Sequence, residues 1–118
     1  MKVSTSFLEH PLTLSATIIG REISLLCIGG SKPHLGGAAM AVPYERTSGI
    51  GTAVSILSAP GHQDSVLAND LARRFCKIFN RTVFVLCGIH YDNLSSQELS
   101  ALRGKVFSLC EELEALIK

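Results

Sequence analysis

"RTVFVLCGIHYDN", residues 81–93, is the stretch on which the fold turns. From Thr82 to Ile89 the side chains are nearly all apolar, with no polar alternation. A strand of this kind is central in its sheet and covered on both faces. It breaks at Gly88 into a turn carrying His90, Tyr91, Asp92 and Asn93. A helix follows: Ser95 and Glu98 fit a capping box, and Leu99, Leu102, Val106, Leu109, Leu113, Leu116 and Ile117 form its apolar stripe. Gly104 inside that helix is either a mild liability or a point of close packing.

Working outward, "DSVLANDLARRFCKIFN" (64–80) has Leu67, Leu71, Phe75 and Ile78 at helical spacing, with Val66 and Phe79 beside them. Asp64 or Ser65 can cap its start, and Asn80 can end it. Before it lies a run of strands. "LTLSATII" (12–19) alternates apolar and polar residues, Gly20-Arg21 makes a turn, and "EISLLCI" (22–28) returns as a hairpin. A glycine-rich loop leads to "AAMAVPY" (38–44), where Pro43 places the strand end near an edge. The polar turn 45–51 leads to "TAVSILSA" (52–59). The order is β-β-β-β-α-β-α: one α+β domain over residues 1–118, with a single-layer, mostly antiparallel, five-stranded sheet and two helices.

Short connections make the first four strands an antiparallel meander, and a helical crossover makes the fifth parallel to the fourth. The second, fourth and fifth strands therefore all end on one edge of the sheet. Each of those ends carries a histidine in a glycine turn: "CIGGSKPHLGG" (27–37), "ILSAPGHQDS" (56–65) and "VLCGIHYDN" (85–93). His34, His62 and His90 thus converge from separate parts of the chain. Gly36, Gly61 and Gly88 beside them permit close backbone approach. Both helices begin on the same edge, where free N–H groups favour a phosphate or carboxylate. Asp64 and Asp92 each follow a histidine by two residues, and can orient an imidazole, cap a helix, or both. For any single one of these histidines, a solvated loop residue is the ordinary reading. Their common edge is what argues for a site.

Other chemistry is poorly supported. Three histidines can make an open zinc trio, but no HxH or HExxH spacing is present. There is no GxSxG elbow, and GGSKPHLGG lacks dinucleotide-binding spacing. His10 belongs to no pattern and reads as inert. Tyr91 can stack on a flat ligand or simply cover the second helix. Of the cations Lys32, Arg46, Arg73 and Arg74, the last two lie inside a helix and read as a solvated face.

Composition narrows the class further. The chain has 118 residues, 47% of them hydrophobic, and a formal charge of +1, which leaves no footprint for nucleic acid or an anionic membrane. No apolar run approaches the roughly 18 residues of a spanning helix, and the N-terminus lacks a signal-peptide core. Cys27, Cys76, Cys87 and Cys110 lie in apolar segments without CxxC spacing, as buried reduced thiols of a cytoplasmic protein do. With few aromatics and no tryptophan, a domain this small gains core by oligomerising.

Three pieces carry a family resemblance: the glycine-histidine loop before the VPY strand, "TAVSILSAPGHQDSVLANDLA", and "VFVLCGIHYDNLSSQEL". Together they resemble the prenylated flavin chaperone family, typified by the small D subunit of gallate-type hydroxyarylate decarboxylases. That family is related in fold to the proteasome-assembly chaperones. The likeness runs from about residue 12 to the end of the chain. It implies a dimeric, non-catalytic protein that holds reduced prenylated FMN (or FMN) from a flavin prenyltransferase and passes it to a UbiD-type decarboxylase apoenzyme. Carried over residue by residue, its cofactor-binding positions are His34, Gly36, Gly61, His62, Asp64, Gly88, His90, Asp92 and Asn93. Two alternatives stand beside it: a protein assembly factor without cofactor, and a metal-dependent enzyme built on His34, His62 and His90.

Overall fold

The computed structural model describes residues 1–60 and 63–118. The elements follow as β1 (Lys2–Phe7), β2 (His10–Ile19), β3 (Glu22–Gly30), β4 (Gly37–Arg46), β5 (Gly49–Ser58), α1 (Asp64–Phe79), β6 (Val83–His90) and α2 (Ser96–Ile117). The α+β class and the two helices are as expected, but the sheet has six strands rather than five. The added strand, β1, pairs antiparallel with β2 through a turn at Leu8 and Glu9, whose φ values are 48° and 68°. Left-handed turns usually announce themselves with Gly, Asn or Asp, and neither residue does so here.

The larger difference is strand order, which is β1-β2-β3-β6-β4-β5. β6 does not sit beside β5. It inserts between β3 and β4, parallel to the first and antiparallel to the second. Central placement gives backbone partners on both sides to an apolar strand that could not leave them to water. Because β4 is antiparallel to both β6 and β5, the directions of β3, β5 and β6 still agree, as the connection lengths require.

Both helices pack on one face of the sheet. Leu12 and Leu14, the facing rows Ile23–Val83, Leu25–Val85 and Cys27–Cys87, and Ala39 and Ala41 meet Leu71 and Phe75 of α1 and Val106, Leu109 and Leu113 of α2 in one core. α1 ends at Asn80 in the left-handed conformation, φ 52°. α2 begins with the expected capping box, Ser95 Oγ accepting from the Glu98 N–H and the Glu98 carboxylate accepting from the Ser95 N–H.

Among the described residues, the other sheet face carries no helix. Phe84 in the central strand is 37% exposed and Met40 opposite it 43%, with Leu26 and Val42 similarly open. The continuous apolar run of β6 thus has one covered face, not two. Pro43 lies where β4 has run past β6 and pairs only with β5, which accommodates its missing N–H. Among the described residues, no helix is long and apolar enough to cross a membrane.

Candidate functional site

Because β6 separates β3 from β4, the connection between those two strands, residues 31–36, has to cross the end of β6. It is tied down as it does so. Ser31 N–H donates to the His90 carbonyl (2.9 Å), Gly36 N–H to the Cys87 carbonyl (3.0 Å), and Ala59 N–H to the Gly36 carbonyl (3.0 Å). The crossing needs glycine below it: a Cβ on Gly88 would collide with the backbone carbonyl of His34. Gly36 meets the Asp64 carboxylate in the same way.

The loop delivers His34 to Asp64. His34 Nε2 lies 3.0 Å from Asp64 Oδ2, and His34 Nδ1 lies 3.0 Å from the Lys32 carbonyl oxygen. A carbonyl only accepts, so Nδ1 carries a proton. That leaves Nε2 as the ring atom that faces the Asp64 carboxylate. Asp64 Oδ1 accepts from the Ile89 N–H at 3.0 Å. With only 8% of its side chain exposed, Asp64 joins the loop, the end of β6 and the start of α1. It is not the helix cap that its position suggested. Gln63 occupies that place without a side-chain capping bond, and the Asp64 carboxylate is drawn to the imidazole and the amide.

The His90 ring lies 6.1 Å from the His34 ring in an edge-to-face arrangement, and its Nε2 is 2.8 Å from Asp92 Oδ1. His34, Asp64, His90 and Asp92 are therefore one cluster on one sheet edge, with Gly36 and Gly88 supplying the close contacts. Asn93, at φ 54°, makes the turn that leads toward α2. Gly61 and His62 lie outside the described residues, and with them one third of the expected histidine set. Among the described residues, no group of three or more His, Cys, Asp or Glu side chains is placed to hold a metal ion.

Arg74 is not a free surface cation. It makes a two-point pair with buried Glu114 of α2, at 2.6 and 3.0 Å, and lies over the Phe107 ring. The Glu114 hydrogen bonds raise its already high pKa. Arg73 bonds Asn69 and Thr52. His10 is not idle: its carbonyl faces the Tyr91 hydroxyl at 3.5 Å and its ring stands beside the Tyr91 ring. Tyr91 also packs edge-on against Phe7, and burial raises its pKa.

The four thiols are buried and unpaired by disulfides. A hydrogen bond with Cys27 and then burial push the Cys87 thiol far up, and burial pushes Cys110 up to about 12. Neither is a nucleophile at neutral pH.

The sequence reading missed a cavity of about 330 Å³ beside this cluster, between α1 and α2. Asp64 and His90 border it, as do Arg103 and Phe107, which carried no assigned role. The usable signal was spacing: Leu99 and Arg103 on α2, like Val66 and Asp70 on α1, are four residues apart and so share a helix face.

No curated protein matches the sequence. Among solved structures, the chain is similar to one in "Crystal Structure of a Novel Chaperone Complex for Yeast 20S Proteasome Assembly", at TM-score 0.55 and 18% identity, over 98% of this chain and 95% of that chain. At that identity the likeness is one of fold. The family model described as a prenylated flavin chaperone LpdD-like domain matches residues 6–118, from within β1 to the last residue. The chain belongs to the prenylated flavin chaperone LpdD-like family.

Proposed function

We propose that this chain is a non-catalytic carrier that holds reduced prenylated FMN in the cytoplasm and delivers it to a UbiD-type hydroxyarylate decarboxylase. Family membership over residues 6–118 is the observation that carries the reading. The residues present fit such a group. A polar cluster of His34, Asp64, His90 and Asp92 adjoins a cavity whose walls are part apolar and part polar, the combination a flat heterocycle with a polar edge requires. Plain FMN is the lesser cargo on this reading, since it lacks the extra apolar ring.

We read the working unit as a homodimer. Leu26, Met40, Val42 and Phe84 on the helix-free face support this, because a central apolar strand exposed to water is costly. The protein partners are then the prenyltransferase that loads the carrier and the decarboxylase that empties it.

The test is co-expression with a flavin prenyltransferase, followed by anaerobic purification, absorbance and mass measurement. The expected outcome is co-purifying prenylated FMN, a raised Tm and activation of decarboxylase apoenzyme. A chain that emerges without flavin, and whose Tm ignores added prenylated FMN, overturns the reading. The assembly-factor reading predicts instead that partner binding survives His34→Ala with His90→Ala while no flavin is retained by any variant.

A further inference from the structure

We infer that the flavin ring system seats between the two helices, with the histidine turns closing only one end of its site, and that Arg103 takes its phosphate. The inference rests on the carrier reading and specifies where the cargo lies.

The cavity of about 330 Å³ is of the size small-molecule sites have, roughly 300–1,000 Å³. Its walls are Val66 and Leu67 of α1 and Leu99, Leu102, Val106 and Phe107 of α2. Val66 is 56% exposed and Leu99 46%, although both border this one space. Apolar side chains left open to one shared gap are stabilised by a guest that covers them. A planar, apolar ring system does so, and the added ring of a prenylated flavin extends the covered area.

The polar groups assign an orientation. His34 and Asp64 are already committed: both ring nitrogens and both carboxylate oxygens have partners within the protein. They form a rigid end wall more than a set of ligand contacts. On the α1 side the cavity carries Asp64, already committed, and Asp70, whose carboxylate disfavours a phosphate and can accept hydrogen bonds from hydroxyl or N–H groups. On the α2 side it carries Arg103, the one Lys or Arg among the described residues that line it. Among the described residues, Arg103 makes no salt bridge. A guanidinium matches a phosphomonoester geometrically and by charge.

The experiment is a fluorescence titration of FMN, riboflavin and prenylated FMN against wild type, Leu99→Trp, Val66→Trp, Arg103→Glu and the control Leu116→Trp. Leu116 is exposed on α2 and outside the cavity, and the three tryptophan substitutions fall at exposed helical positions where the fold is retained; thermal unfolding checks this. Either cavity tryptophan is expected to weaken all three ligands about tenfold or more, the control none. Arg103→Glu is expected to weaken the two phosphorylated flavins about tenfold and leave riboflavin unchanged. Wild-type affinity in both cavity-tryptophan variants overturns the placement while leaving the carrier reading intact. Equal loss of riboflavin and FMN in Arg103→Glu overturns the phosphate assignment. A wild type that binds none of the three overturns the carrier reading, and the placement with it.

Discussion

His34 Nε2 and Asp64 Oδ2 lie 3.0 Å apart although 30 residues separate them, and the same carboxylate accepts from the Ile89 N–H. Asp64→Ala orphans that amide and the imidazole together. The expected cost is about 2–3 kcal/mol in urea unfolding. Asp64→Asn keeps an acceptor for Ile89 and an amide group beside the His34 ring, so it should cost less than half as much. Equal losses for both variants would show that the carboxylate oxygens are not what holds the loop.

Two glycines should respond with opposite signs. A methyl group on Gly88 meets the His34 carbonyl, a backbone atom pinned by its loop, so Gly88→Ala should destabilise by about 2–3 kcal/mol. Gly104 has nothing within 4 Å of its would-be Cβ and sits inside α2, so Gly104→Ala should stabilise by about 1 kcal/mol. Chemical denaturation of the two variants decides both, and a neutral Gly88→Ala would contradict the crossing as described.

Stability should fall at high pH for a reason internal to the core. Cys110 ionises near 9.0 when unfolded, but burial holds its folded thiol protonated up to about 12. The folded state then binds the extra proton, so its advantage is intact below pH 9 and is lost as pH rises through that window, at about 1.4 kcal/mol per pH unit. Cys110→Ala should flatten part of this slope in pH-dependent urea unfolding. An unchanged slope assigns the loss to other groups.

The helix-free face offers a direct check of the dimer. Phe84→Glu puts a charge at the centre of the patch formed with Met40, Leu26 and Val42. If that face joins two copies, light scattering should report a dimer for wild type and a monomer for the variant, with secondary structure retained. A variant that stays dimeric places the interface elsewhere.

Much of the fold was legible because apolar periodicity is local. It identified both helices, the Ser95–Glu98 cap, the Gly20–Arg21 hairpin and the strands from Leu12 onward, and connection lengths gave the common direction of β3, β5 and β6. The glycine-histidine turns could be named as a group for the same reason. β1 escaped because Leu8 and Glu9 adopt a left-handed turn without the residues that usually announce one.

Strand adjacency is not local. Any apolar strand of matching length is an acceptable neighbour for β6, and only the competition for backbone partners and core space across the whole chain put it between β3 and β4. That insertion forces residues 31–36 over Gly88, turns Asp64 from an expected cap into a buried partner for His34, and leaves one sheet face bare. The residue types that can make the site were written in the sequence; which of them meet was decided by the order of the strands.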